Sequence, residues 1–267
     1  MRTFSHPGYK RFLLSVGCLL SIHFTALFFL TLFRLVFFFS ANYDFPDQEH
    51  VGFMSIWPAF IRGVWFDNVI ACYILLIPLV AVSISALFNY YGKILWNVTC
   101  IFFSLFYGIV LLVTAANIPY FQYFFKIINS SVFNWFGYMN TTAGMVFGET
   151  SYYPPLIGFL LTLVLFIWLM RRLIRHFQRL LNTKNPSVFW LDRIYIFLTA
   201  GICIGLCLFG IRGRTGYNPI KVSAAYYCTD PFLNQLGISP VFNLLSSTLD
   251  DSRKEKICLR WRPRRIP

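Results

Sequence analysis

Five runs of nearly unbroken apolar sequence dominate the chain, at residues 12–39, 68–88, 94–116, 154–170 and 194–211. Each reaches the roughly 17 to 25 residues that an α-helix needs to cross the hydrocarbon core of a bilayer. The pattern predicts an all-α integral membrane protein with five transmembrane helices and a few interfacial ones. The first run is too long for a signal peptide and lacks a small-residue cleavage site, so it is read as an uncleaved helix. Pro78 falls inside the second run and predicts a kink there.

Polar positions orient these spans. Arg171, Arg172, Arg175 and Arg179 follow the fourth run, with Lys184 and Arg193 close behind. Between them Met170, Leu173, Ile174, Phe177, Leu180 and Leu181 recur at helical spacing. The stretch reads as a helix that leaves the bilayer and continues as a basic amphipathic turn or two along the inner leaflet. Arg2, Lys10, Arg11 and Lys93 fall on the same side, whereas residues 41–65 hold Asp44, Asp47 and Glu49 against a single Arg62. Positive residues are retained inside, so the N-terminus is placed inside and the C-terminus outside. Arg34, near the outer end of the first span, is expected to snorkel to the headgroups. His23, at mid-span, is expected to bond to a neighbouring helix.

The connections are read in the same way. Residues 117–155 are dense in aromatics, which favour the membrane–water boundary, and are drawn as one or two short helices in the outer interface. After the fifth span, Thr229 or Asp230 caps a helix that starts at Pro231 and ends at Gly237. Ser239 and Pro240 open a second, with Val241, Phe242, Leu244, Leu245 and Leu249 on its apolar side. Both are too short to span, and residues 212–249 are read as extracytoplasmic linker helices. Residues 250–267 form a basic tail, expected to be out of frame from about Lys256.

Composition agrees with the span pattern. The sequence is 57% hydrophobic and 12% charged, with mean hydropathy +0.62, and a soluble domain carries about twice that charged fraction. The net charge of +13 is therefore read as membrane orientation, and nucleic acid is excluded as a partner. Cys18, Cys72, Cys100, Cys203 and Cys207 lie within the apolar runs, where a small polarizable side chain packs. Gly201 and Gly205 offer a small-residue contact face, which serves either a dimer or, as is commoner inside a bundle, intramolecular packing.

No catalytic constellation is visible. The most pointed polar feature is Arg62-Gly63-Val64-Trp65-Phe66-Asp67. Arg62 and Phe66 are one helical turn apart, close enough to stack. Arg62 and Asp67 lie on different sides of a helix, so each is expected to meet another element. Together with Arg212 and Arg214 they are candidate contacts to lipid headgroups or to another domain, the plainer alternative being interfacial anchoring. Arg212-Gly213-Arg214-Thr215-Gly216 is not a phosphate-cradling loop, because the Gly-Lys-Ser/Thr ending is missing.

The order of these features resembles the N-terminal membrane part of the lipoteichoic acid synthase and phosphoglycerol transferase family, within the alkaline phosphatase/sulfatase superfamily. The resemblance covers about Met1 to Asp251. It is carried by the five spans, Arg62-Gly63-x-x-Phe66-Asp67, Asn117-Ile118-Pro119-Tyr120-Phe121, Arg212-Gly213-Arg214 with Asn218-Pro219-Ile220, Ala224-Ala225-Tyr226-Tyr227, and Phe232-Leu233-Asn234-Gln235-Leu236. It implies a multi-pass protein of a bacterial cytoplasmic (inner) membrane, in contact with membrane lipids and anionic phospholipid headgroups. It further implies an extracytoplasmic enzyme that moves phosphoglycerol, or a related phosphoester group, from a lipid donor with a threonine or serine nucleophile and a divalent metal such as Mn or Mg. In that family the nucleophile and metal ligands lie in a domain after the linker helices. No residue here receives a catalytic, cofactor or metal role, and the chain alone is expected to be inactive. The alternative is a complete small polytopic membrane protein, a transporter or sensor subunit. Sparse mid-span polarity weighs against transport.

Overall fold

A computed structural model describes residues 7–41, 53–138, 150–181 and 190–260, together with Gly144 and Gly148. Every described element is helical and no described residue lies in a strand. In order these are α1 (Pro7–Ser40), α2 (Phe53–Leu87), α3 (Lys93–Phe124), α4 (Tyr153–Leu181), α5 (Trp190–Arg212), α6 (Pro231–Leu236) and α7 (Pro240–Arg260). Short 3-10 turns fill Ser130–Tyr138, Thr150–Tyr152 and Val222–Ala225. Helices α1 to α5 are long and apolar enough to cross a membrane, as a multi-pass membrane protein requires.

The helices outrun the apolar runs that announce them. At 34, 35 and 32 residues, α1, α2 and α3 are each about 50 Å long at 1.5 Å per residue, against a hydrocarbon core of about 30 Å. The extra turns are held by packing on protein. Helix α2 begins at Phe53, inside what the sequence suggested was a loop over residues 41–65, because Ala59 and Phe66 are fully buried. Residues 42–52, with Asp44, Asp47 and Glu49, lie outside the described residues. Helix α3 continues through Pro119 to Phe124, burying Asn117, Ile118 and Phe121. The start of the supposed interfacial segment is thus helix and core. Helix α2 is uninterrupted through Pro78. Helix α4 carries its basic end as one continuous helix, with Met170, Ile174 and Leu181 buried and Arg171, Arg172, Arg175 and Arg179 exposed.

The chain divides into two units. The first comprises Met1–Leu32, Asp67–Leu111 and Phe159–Ile220. In it Phe166 stands edge-on to Phe29 and Tyr107, with ring centroids 6.0 and 5.3 Å away. His23 Nε2 lies 3.1 Å from Asn68 Oδ1 on α2, the interhelical bond expected for a mid-span histidine. The Cys207 thiol donates to the Cys72 carbonyl at 3.3 Å, a buried contact between α5 and α2. Gly201 and Gly205 depart from expectation. A Cβ on either would meet nothing within 4 Å, so this face makes no packing contact among the described residues.

The second unit comprises Phe33–Phe66, Leu112–Gly158 and Lys221–Pro267. Phe37, Phe121 and Phe232 meet at its centre, with centroid separations of 5.0, 5.6 and 5.8 Å. Asp230 caps α6 by accepting from the Leu233 backbone N–H at 2.8 Å, Pro231 follows, and Gly237 ends the helix. This punctuation matches the sequence reading. Helix α7 instead runs past Leu249 to Arg260. Its continuation, Asp-Asp-Ser-Arg-Lys-Glu-Lys, is made largely of good helix formers, with exposed pairs Asp250–Arg253 at 4.0 Å and Asp251–Lys254 at 3.6 Å. Such exposed pairs contribute only a few tenths of a kcal/mol, about 0.3–0.5 each.

Candidate functional site

Two arginines organise the second unit. Arg62 projects from α2, donates through Nε to the Ala224 carbonyl at 3.3 Å, and lies over the Tyr227 ring at 4.4 Å. Tyr227 in turn donates its hydroxyl to the Ser55 carbonyl at 2.6 Å. The expected Arg62–Phe66 stack is replaced: Phe66 is fully buried and packs on Phe242 of α7 at 4.8 Å. A cation over an electron-rich phenol ring gains more than it would over an already committed core phenylalanine.

Arg34 is the second, and its position corrects the snorkelling expectation. It is 5% exposed, and its Nη1 donates to the Leu236 carbonyl and, at 3.1 Å, to that of Ile238. Leu236 ends α6, where helix geometry leaves backbone oxygens without an intrahelical donor, and Ile238 lies two residues beyond it. Gly63 makes the room, because a Cβ built there would overlap the Arg34 guanidinium. Bare backbone at position 63 is a steric requirement.

The loop before α6 is held by Asn234, which is 5% exposed. Its Oδ1 accepts from the Tyr227 and Cys228 amides at 2.9 and 3.3 Å, and its Nδ2 donates to the Cys228 carbonyl at 2.7 Å. Further polar seams join α3 and the turn after it to α6 and α7. The Ile127 amide donates to Gln235 Oε1 at 3.1 Å, Asn243 Nδ2 to the Ile128 carbonyl at 2.9 Å, and the Ser130 amide to Ser247 Oγ at 2.9 Å.

Burial, with smaller contributions from Cys228 and Asp230, pushes the Tyr227 hydroxyl up to about 12 despite the opposing pull of Arg62. The folded state therefore keeps a proton that the unfolded chain releases from about pH 10. Stability contributed here is present below pH 10 and is expected to fall as pH rises from about 10 towards 12. Unfolding followed across that window should be less steeply pH-dependent in Tyr227→Phe; an unchanged slope would exclude Tyr227 as the titrating group.

The other sequence candidates lie in the first unit. Asp67 is buried, at 2% exposure. Arg212 closes a local turn by donating to the carbonyls of Gly216 and, at 2.7 Å, Tyr217. Gly213 within that turn has φ +70°, and a Cβ there would approach Ile220 Cγ2 to 2.8 Å. Arg214 is exposed. The run after α5 is therefore a tight turn with one arginine spent on its own backbone.

The first unit also contains a cavity of about 540 Å³ that no sequence motif announced. Arg11, Lys93, Arg175 and Arg179 line it, and no aspartate or glutamate is among the described residues that do so. Trp96 Nε1, Tyr91 Oη and Asn89 Oδ1 are buried without a hydrogen-bond partner among the described residues, and all three residues line this cavity. A buried donor or acceptor left unpaired costs about 1–3 kcal/mol, so three at one cavity mark it as polar and unfilled by protein.

No family model, curated protein or solved structure matches the chain. The divalent metal implied by the resemblance finds no ligand set, since no group of three or more His, Cys, Asp or Glu converges among the described residues.

Proposed function

We propose that the chain is the membrane-anchoring part of an extracytoplasmic phosphoglycerol (or related phosphoester) transferase of a bacterial inner membrane. Its N-terminus lies inside, and α6 and α7 lie on the outer side. The nucleophile and the divalent cation belong to a separate catalytic domain that α6 and α7 position. One observation carries this reading: stretches that bear the resemblance, although far apart in sequence, pack on one another in the second unit. Arg62 meets Tyr227, Gly63 admits Arg34 to the end of α6, and Phe121 meets Phe232. A bundle that served only to span lipid would not need a buried cation, Arg34, holding a short helix at its end.

Orientation is tested with alkaline phosphatase and fluorescent-protein fusions after Arg179 and after Lys221. Phosphatase activity is expected only at Lys221, and fluorescence only at Arg179. Equal activity at both points would sink the topology. Function is tested by joining a phosphoglycerol transferase catalytic domain, stripped of its own membrane part, after Leu249. In vesicles with fluorescent phosphatidylglycerol the chimera should transfer faster than the free domain, and Asn234→Ala should remove the gain. Transfer no faster than that of the free domain would end this reading.

A further inference from the structure

The cavity in the first unit has a composition that fits one class of ligand. Its walls come from the start of α1, the turn between α2 and α3, the first turn of α3 and the basic end of α4. Lys93, Arg175 and Arg179 face one space with no carboxylate among its described lining residues, and like charges so placed repel one another unless an anion or solvent intervenes. Arg11, 7% exposed, also lines the cavity, with its guanidinium 5.9 Å from the Tyr91 ring centroid. Helix α3 begins at Lys93, so its positive dipole end adds to the same field.

The neutral groups narrow the choice. Trp96 is 1% exposed and its indole N–H has no acceptor among the described residues. An indole N–H only donates, which suits an anionic oxygen. Tyr91 is a second donor: burial raises its hydroxyl to about 12, so it keeps its proton at neutral pH. Asn89 Oδ1 is an acceptor in need of a donor. Inorganic phosphate would satisfy the cations and donors, and its own P–OH can donate to Asn89. A phosphodiester whose other arm carries a hydroxyl or ammonium answers both as well.

Position supplies the rest. The residues adjoining the cavity in sequence include Phe88, Ile94 and Leu180, exposed at 79, 69 and 46%. They sit at the ends of membrane-length helices, where acyl chains would cover them. We infer that this cavity binds the phosphodiester headgroup of an anionic glycerophospholipid, with Arg11, Lys93, Arg175, Arg179 and Trp96 around the phosphate and Asn89 accepting from the headgroup alcohol or amine. The site is independent of the transferase reading, because it requires only that the helices sit in a bilayer and holds in either leaflet.

The test is lipid retention by the whole purified chain in a neutral detergent, followed by native mass spectrometry. Dioleoyl-phosphatidylglycerol is the probe, with dioleoyl-phosphatidylcholine and inorganic phosphate as the comparison arms. The anionic lipid should be retained over the zwitterionic one. The double variant Arg175→Gln/Arg179→Gln, at two exposed positions, should weaken retention about tenfold or more, given the usual contribution of each cation at an anionic surface. Trp96→Phe keeps the ring and loses only the donor, and should weaken it about threefold or more. Lys126→Gln and Lys221→Gln, exposed cations outside the cavity lining, should retain lipid as the parent does. Parental retention by both cavity variants would overturn the assignment. So would an equal loss in the two control variants, which would mean diffuse charge attraction. Displacement of the lipid by equimolar inorganic phosphate would assign the cavity to a soluble phosphate instead. None of these results bears on the fusion or chimera experiments, so the two readings fail separately.

Discussion

Gly63→Ala is expected to cost about 3 kcal/mol or more, through two hydrogen bonds from a charged donor that are each worth about 1.5–3 kcal/mol. One added methyl would displace the Arg34 guanidinium from the carbonyls of Leu236 and Ile238. A buried guanidinium cannot simply be moved aside, since desolvation without its acceptors is the larger penalty. Glycine in a helix interior ordinarily costs about 1 kcal/mol relative to alanine, so intrinsic propensity pulls the other way and makes the expected sign diagnostic. Thermal unfolding in detergent should show a marked drop for Gly63→Ala. Gly205→Ala is the natural control, because a Cβ there meets nothing within 4 Å, and it should be neutral or slightly stabilising. The mechanism is tested by a double-mutant cycle. In an Arg34→Met background, with the guanidinium gone, alanine at position 63 should cost little; the same cost as in the parent would mean that Arg34 is not the group being displaced.

The five spans were legible because lipid imposes a length and an apolarity that composition alone reveals. Helix ends were not, since a helix leaving the bilayer is held by partners whose identity depends on the fold. Residues 53–65, with Arg62 among them, looked like part of a loop over 41–65; they are helical because Ala59 and the following Phe66 are buried. Caps on α6 were legible because Asp230, Pro231 and Gly237 act within one turn of chain. Arg34 was not, because the carbonyls it serves come 202 and 204 residues later. A rule for isolated helices, that a terminal arginine snorkels to the headgroups, gave the wrong answer once another segment supplied acceptors.

The same distinction separates the candidate residues. Arg62 was singled out correctly as reaching another element, but its aromatic partner is Tyr227 rather than Phe66. The cavity was half visible: Arg11, Lys93, Arg175 and Arg179 each counted towards orientation, yet nothing in their spacing said that they share one wall-lined space. Trp96 falls inside the apolar run 94–116 and Asn89 directly after the run 68–88, so neither stood out. Their unpaired polar atoms exist only once neighbouring helices have shut out water.

Asn234→Leu is expected to release the segment from Lys221 to Asp230, with a loss of about 3 kcal/mol for three part-buried backbone groups left without a partner, about 1 kcal/mol each. One amide side chain serves the Tyr227 and Cys228 N–H groups and the Cys228 carbonyl together. No aliphatic side chain can substitute, and water is kept out by the 5% exposure of the residue. Loss of the bracket also moves Tyr227, and with it the ring beneath Arg62 and the hydroxyl that reaches Ser55. Hydrogen exchange should show the change locally. Amides from 224 to 234 should lose protection by about a hundredfold or more, which is the same 3 kcal/mol expressed as an opening equilibrium. Asn234→Asp separates the two halves of the bracket. Its carboxylate still accepts from both amides, but it sets a second oxygen against the Cys228 carbonyl where a donor stood, so protection should fall to an intermediate level. If Asn234→Asp were protected as well as the parent, the donor half of the bracket would contribute nothing, and the order of this segment would have to come from the Asp230 cap and the packing of Phe232.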